Sequence, residues 1–177
     1  LLNTFIAWGI NQFSPMTLLV SFGSYWQYNN NIREPFNAYA ASKSAVEAML
    51  EHFVQDGLNV LWFELGDTYG PNDSRKKIVN SIIHSIKTEE RLNMTKGDQY
   101  INLVHICDVV DAVVSGMLMF KKKETGSFKK FSIMPSNPIK VKEIIKMLSI
   151  ILDKDISYLF NLGYYEYSKR ERFSTEL

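Results

Sequence analysis

A tyrosine and a lysine four residues apart offer the clearest acid–base chemistry in this chain. Tyr39 and Lys43 lie within residues 35–47, and three small residues separate them. On a helix this spacing puts both side chains on one face, one turn apart. A free phenol has a pKa of about 10, and a neighbouring ammonium lowers the pKa of a phenol by favouring the phenolate. The pair could therefore act as a general acid/base on carbonyl and alcohol groups.

The same spacing occurs a second time, at Tyr165 and Lys169. A chain with nine tyrosines produces it about once by chance, and an ordinary solvated helix face explains either pair equally well. Context favours the first pair. Tyr39 opens a helix that follows a strand and a loop, and ligands of α/β proteins bind at the carboxyl ends of strands.

The elements around Tyr39 alternate between strand and helix. Residues 17–22 read as a short buried strand, Asn37 as the N-cap of a helix over 38–55, and residues 58–65 as a strand buried on both faces. The spacing of apolar residues and turn formers extends this alternation with helices over 1–13, 75–88, 108–122 and 140–152 and strands over 100–106 and 128–134. The chain is therefore expected to be an α/β protein with a parallel sheet.

Composition narrows the classes of partner. Hydrophobic residues make up 46% of the chain and charged residues 22%, which is typical of a globular protein, and the net charge of +1 gives no reason to expect a nucleic-acid or membrane partner. Cys107 is the single cysteine, which fits a reducing cytoplasm, and the three histidines have no cysteine cluster beside them. We expect a cytoplasmic protein without a metal site.

Four segments in order carry a family resemblance. They are the strand that leads into Ser24–Gln27, the run Tyr39-Ala-Ala-Ser-Lys43, the loop Asp67–Arg75 and the segment Asn102–Ala112. Together they resemble the extended short-chain dehydrogenase/reductase family over roughly residues 17 to 152. Its members are NAD(P)-dependent nucleotide-sugar epimerases, dehydratases and reductases. Residues 24–27 and 66–75 look most like the CDP-abequose synthase-like reductases, which act on 4-keto deoxysugars of surface polysaccharides such as the lipopolysaccharide O-antigen.

The resemblance implies a role for each catalytic residue. Tyr39 would exchange the proton at the sugar C4 oxygen, and Lys43 would hold the nicotinamide ribose and lower the pKa of Tyr39. A serine at the end of the preceding strand completes such triads. The strictest register with the family places Phe22 at that position. Ser24 is favoured among the neighbouring serines, and Ser21 is the second choice.

The binding residues follow from the same resemblance. Leu65 and Gly66 would lie along the nicotinamide of NAD or NADP, and Asp67, Asn72 and Arg75 would contact the nucleotide sugar. Asp67 and Gly70-Pro71 could instead only shape a turn, and Arg75 could be an exposed first-turn residue. Homodimerisation is common in the family and is expected here.

The resemblance also implies a division into parts. Residues 1–66 would form the C-terminal part of a Rossmann-like domain with helices on both faces of its sheet. Residues 67–177 would form mainly a small α+β sugar-binding subdomain, with residues 102–123 returning to the Rossmann core.

Three departures from the family pattern stand out. No glycine-rich phosphate loop is present, so we expect the sequence to begin in mid-domain. Ile101 and Ser168 occupy positions where relatives carry arginine, and Arg170 could substitute for the latter. A truncated or degenerate relative that acts as a binding or scaffold protein is the alternative.

Overall fold

A computed structural model describes residues 18–29, 32–120 and 125–165. Its described strands, in chain order, are β1 (Leu18–Ser24), β2 (Tyr28–Asn29), β3 (Ile32–Arg33), β4 (Asn59–Leu65), β5 (Asp67–Tyr69), β6 (Leu92–Met94), β7 (Tyr100–Ile101), β8 (Leu103–His105), β9 (Phe128–Ile133), β10 (Ile139–Lys140) and β11 (Phe160–Leu162). The described helices are α1 (Ala38–Gln55), α2 (Ile78–Thr88), α3 (Ile106–Leu118) and α4 (Val141–Ile151).

The chain forms two compact units. Of the described residues, those up to Gly66 and those within Ile106–Met134 form the first unit, and those within Asp67–His105 and from Pro135 to Tyr165 form the second. The returning segment thus begins at Ile106, four residues later than the sequence suggested, and it includes β9. What each unit binds stays a prediction.

The first unit is built on a parallel three-stranded sheet in the order β1-β4-β9. The central strand β4 is buried along almost its whole length, as its continuous apolar run predicted. Trp62 and Val60 pack with Leu50 of α1, whereas Phe63 and Leu61 lie against Gly116 of α3. Because alternate residues of a strand point to opposite faces, helices cover both faces of this sheet. The predicted α/β fold with a Rossmann-like parallel sheet is therefore confirmed.

The second unit has its own core. Short strands pair as β5 with β8, β6 with β11 and β7 with β10. Helices α2 and α4 pack their apolar faces together through buried residues that include Ile82, Val141 and Ile145. The 3.6-residue spacing of isoleucines on both helices is the reason they form amphipathic faces.

Several predicted boundaries were wrong. The strand expected over 100–106 is divided into β7 and β8. The helix expected from Asp108 begins at Ile106, and Asp108 lies in its first turn. Helix α2 begins at Ile78 rather than at Arg75, because the Arg75 backbone and side chain bond to Asp73 in a loop. The helix expected over 1–13 lies outside the described residues.

No helix in the described ranges combines the length and the apolar character needed to cross a bilayer.

Candidate active site

Tyr39 and Lys43 lie in the first turns of α1. The Asn37 side chain caps this helix by accepting a hydrogen bond from Ala40 N at 2.7 Å, as predicted. Lys43 Nζ donates to the Phe22 carbonyl of β1 at 3.0 Å and lies 5.8 Å from the centre of the Tyr39 ring. Tyr39 is 51% exposed. The pair therefore sits beside the carboxyl end of β1, and the Tyr39 residue is half-exposed.

The two candidate serines occupy different places on β1. Ser24 is the last residue of the strand and is buried, and its Oγ accepts a hydrogen bond from Trp26 N at 3.3 Å. Ser21 pairs with Trp62 within the sheet. The odd spacing between the serines puts their side chains on opposite faces. Of the two, Ser24 lies at the strand end where ligands of parallel sheets bind.

Leu65 and Gly66 lie at the carboxyl end of the neighbouring strand. Leu65 is in register with Ser24 on one side and Ile133 on the other. Gly66 N donates to the Ile133 carbonyl at 3.1 Å. The structure thus brings these two residues to the same end of the sheet as Ser24.

A buried amide connects Ser24 to α1, and the sequence reasoning missed it. Gln27 is fully buried, its Oε1 accepts from Ser24 N at 2.8 Å, and its Nε2 donates to Glu47 Oε2 at 2.8 Å. The spacing of Tyr39, Lys43 and Glu47, which recur every fourth residue on one face of α1, could have pointed to Glu47, but no sequence pattern pointed to Gln27.

Glu47 belongs to a compact charged cluster. Lys130 Nζ of β9 lies 2.9 Å from Glu47 Oε1 and 2.5 Å from Glu64 Oε1 of β4. The Tyr28 hydroxyl donates to Glu47 at 2.7 Å. Burial alone would lower the pKa of Lys130, but hydrogen bonds to Glu64, Tyr28 and Glu47 hold that pKa above its ordinary value. The lysine thus remains charged between two buried carboxylates.

The predicted sugar-nucleotide residues lie in the second unit. Asp67 Oδ2 accepts from Asn102 N at 2.9 Å, so this side chain fixes the entry to β8. Asn72 has a left-handed backbone with φ of 63° in the turn after Pro71. Asp67 thus has a structural contact of the kind that the sequence left open for it, and contact of Asp67 and Asn72 with a sugar nucleotide stays a prediction.

Arg75 holds Asp73 in a two-pronged ion pair. Its Nε and Nη2 donate to the two oxygens of Asp73, each at 2.7 Å. The guanidinium holds the pKa of the Asp73 carboxyl well below its usual range. The pair lines an open cleft of about 500 Å³, whose other lining residues are Ser74, Lys76, Asn80, Ser81, His84, Ser85, Glu90, Arg91 and Leu92.

Within residues 18–29, 32–120 and 125–165, no group of histidine, cysteine, aspartate and glutamate side chains has the arrangement of a metal site. The remaining sequence candidates fall partly outside those ranges. Tyr165 is described and exposed, but Lys169, Ser168 and Arg170 are not among the described residues.

Comparison with known proteins identifies the protein family of this chain. The model of the NAD dependent epimerase/dehydratase family matches residues 24–132. The CDP-abequose synthase of Yersinia pseudotuberculosis is 30% identical over 142 residues, which cover 78% of this chain and 49% of that protein. The chain therefore spans about half the length of this curated relative.

Several solved structures of nucleotide-sugar-binding proteins have a similar fold. MoeE5 in complex with UDP-glucose and NAD superimposes with a TM-score of 0.74 at 17% identity, over 91% of this chain and 54% of that one. The UDP-N-acetylglucosamine 4-epimerase of Methanobrevibacter ruminantium, solved with UDP-N-acetylmuramic acid, gives 0.74 at 18% identity, over 95% and 55%. At this identity the likeness shows a shared fold.

Proposed function

This chain belongs to the NAD dependent epimerase/dehydratase family, and we propose that it carries the proton-transferring half of a nucleotide-sugar oxidoreductase. The observation that carries the proposal is the position of Tyr39 and Lys43 beside the carboxyl end of β1, where Lys43 Nζ bonds to the Phe22 carbonyl. The relative named CDP-abequose synthase supports a nucleotide-linked 4-keto deoxysugar as the substrate class.

Tyr39 is the group that moves the proton. In the reducing direction its hydroxyl donates a proton to the C4 carbonyl oxygen of the sugar, and the resulting phenolate takes a proton back from water. Lys43 lies 5.8 Å from the ring centre, close enough for its ammonium to stabilise that phenolate. In this direction bound NADH or NADPH would supply the hydride to the sugar C4, and in the reverse direction NAD or NADP would accept it. Ser24 would donate a hydrogen bond to the C4 oxygen, without transferring its proton, and so hold that oxygen in line with Tyr39.

The residues present fit the nicotinamide end of such a cofactor. An ammonium has three donors, and Lys43 uses one of them on the Phe22 carbonyl, which leaves two for the hydroxyls of a ribose. Leu65 and Gly66 end the adjacent strand and offer an apolar edge to a flat ring. We therefore assign the nicotinamide contacts to Lys43, Leu65 and Gly66.

We assign the nucleotide to the cleft in the second unit. Arg75, Lys76 and Arg91 supply cations to its lining, and serine and asparagine side chains supply neutral hydrogen-bonding groups. A guanidinium binds phosphate oxygens through paired N–H groups, which suits a diphosphate. In this proposal the Asp73 carboxylate holds the guanidinium of Arg75 in position while no nucleotide is bound. Two further properties stay predictions: that the protein forms a homodimer and that it works in the cytoplasm. Light scattering of the purified protein tests the homodimer.

Turnover tests the proposal. NADH and NADPH oxidation is followed at 340 nm with CDP-, UDP- and dTDP-linked 4-keto-6-deoxy sugars, for the wild type, Tyr39→Phe and Tyr165→Phe. Loss of the phenol should reduce turnover at least 100-fold, which is about the contribution of a general acid/base. Tyr165→Phe is the matched control from the other pair of the same spacing, and it should keep wild-type turnover.

Either of two outcomes would overturn the proposal. Activity that survives Tyr39→Phe would remove this residue from the chemistry. Absence of turnover with every sugar, combined with no binding of either reduced cofactor, would favour the non-catalytic alternative.

A further inference from the structure

Gln27 has a geometry that only an amide can satisfy. Ser24 N is purely a donor and the Glu47 carboxylate is purely an acceptor, and Gln27 meets each at 2.8 Å. These two neighbours fix which end of the amide faces which way. A glutamate at this position would set two carboxylates against each other, and an apolar side chain would leave a buried donor and a buried acceptor unpaired.

The chain makes room for this contact at Gly23. A Cβ on this residue would lie 2.4 Å from Gln27 Oε1 and 2.6 Å from the Trp62 ring. Gly23 has an ordinary extended backbone, so the glycine is required by close approach rather than by its backbone conformation. The run Gly23-Ser24-x-x-Gln27 is therefore a unit in which the glycine admits the amide and the amide holds the serine.

Glu47 binds the other end of the Gln27 amide, and the contacts from Ser24 through Gln27 to Glu47 are called the link below. It is 1% exposed, so its charge must be compensated inside the protein. Lys130 Nζ at 2.9 Å and the Tyr28 hydroxyl at 2.7 Å also donate to it, and Arg33 lies 3.6 Å away. Since Glu47 lies on the same helix as Tyr39 and Lys43, the link joins the end of β1 to the helix that carries the proposed acid.

We propose that Gln27 is a positioning residue that sets Ser24 relative to Tyr39, and that Glu47, neutralised by Lys130, holds Gln27 in place. This inference rests on the proposed function for its kinetic consequence, but not for its geometry. It favours Ser24 over Ser21 as the serine that acts with Tyr39, because among these two only Ser24 is held by the amide.

An exchange of two side chains tests the link. Gln27→Glu alone should break it, because two carboxylates then meet. The double variant Gln27→Glu with Glu47→Gln should restore it, since the new carboxylate accepts from Ser24 N and from the new amide, whose oxygen still accepts from Lys130. Glu51→Gln is the matched control. Glu51 is on the same helix and bonds to Arg33 at 2.8 Å at the surface. Gln27→Met removes both polar contacts and replaces Gln27→Glu if that variant fails to fold.

Two readouts separate positioning from the activity itself. The exchange rate of the Ser24 amide proton, measured by NMR, should rise at least about 10-fold in Gln27→Glu and return to within about threefold of the wild type in the double variant. The turnover number should fall about 100-fold and be largely restored in the double variant, whereas nicotinamide affinity should change less than about twofold. Glu51→Gln should match the wild type in each measurement.

Unchanged Ser24 exchange in Gln27→Glu and in Gln27→Met would refute the positioning role, whatever the activity. A double variant that regains Ser24 protection but not turnover would also refute it, because the link would then be structural only. Failure of the wild type to turn over any sugar would overturn the proposed function instead, and the exchange data would still decide the positioning of Ser24.

Discussion

Removal of the Lys130 charge is the most demanding test of the buried cluster. Lys130→Met keeps an unbranched side chain of similar length over the Tyr28 ring, which the lysine Nζ approaches to 3.7 Å from the ring centre. The variant leaves Glu47 and Glu64, which are 1% and 7% exposed, without the cation they share. Arg33 is 3.6 Å from Glu47, so one carboxylate retains a more distant partner.

The magnitude follows from charge separation and burial. One ion pair about 4 Å apart is worth about 4 kcal/mol at an effective dielectric constant of about 20, and Lys130 makes two such contacts. The Lys130 side chain is 33% exposed, so water offsets part of this sum. Loss of one partner from a buried pair costs about 3–5 kcal/mol in measured cases. We expect a loss of that size in the free energy of unfolding at pH 7.

Urea unfolding monitored by circular dichroism measures this loss. Because the pKa of folded Lys130 lies above its ordinary value, its stabilisation is fully present at neutral pH and is lost only as the pH rises through that folded value. The control is Lys129→Met on the same strand, where the ammonium lies over the Phe120 ring and a loss below about 1 kcal/mol is expected. A Lys130→Met deficit no larger than the control's would refute the reasoning.

Three further changes test other parts of the structure. Lys43→Met should weaken the binding of NADH or NADPH at least about 10-fold in a nicotinamide-fluorescence titration, because a charge-assisted hydrogen bond is lost. Gly23→Ala should lower the free energy of unfolding by about 1–3 kcal/mol in urea, since its Cβ would overlap Gln27 and Trp62. Asp73→Asn should cost about 1 kcal/mol at pH 7 and progressively less in acid, because a carboxyl with a lowered folded pKa stabilises above its ordinary pKa and loses that effect as the pH falls.

For each of these three predictions, one outcome would contradict it. Unchanged cofactor affinity in Lys43→Met would remove the lysine from the nicotinamide site. Wild-type stability in Gly23→Ala would mean that the amide link is loose. A stability difference between Asp73→Asn and the wild type that does not vary with pH would show that the ion pair with Arg75 contributes little.

Local patterns were sufficient to predict α1 and the strands beside it. The cap at Asn37 and the break after Gln55 gave the helix its observed bounds, and the apolar run that became β4 reported burial on both faces. Where a boundary depends on partners distant in sequence, the pattern failed. Asn102 interrupts the strand expected over 100–106 because its backbone bonds to Asp67, thirty-five residues earlier.

In the candidate site, too, local patterns predicted some residues and contacts distant in sequence hid others. Spacing predicted that Tyr39 and Lys43 share a helix face, because residues four apart do so whatever the tertiary structure. The strand and loop before that helix were needed to prefer this pair to Tyr165 and Lys169. Lys130 could not be found in this way, since eighty-three residues separate it from Glu47 and only the pairing of β4 with β9 brings it near. The role of Gln27 could not be predicted from the sequence for a different reason. Its role depends on which way a buried amide faces, and no periodicity reports that.

Isotope transfer tests the central claim most directly. Wild type and Tyr39→Phe are incubated with NADH or NADPH that carries deuterium at both hydrogen positions of the nicotinamide C4 and with a nucleotide-linked 4-keto-6-deoxy sugar, and the product is analysed by mass spectrometry and NMR. We predict one deuterium at the sugar C4 with the wild type and almost none with Tyr39→Phe. A product without deuterium at C4, or equal transfer by both proteins, would contradict the assignment of Tyr39 as the acid of a nicotinamide-dependent sugar reaction.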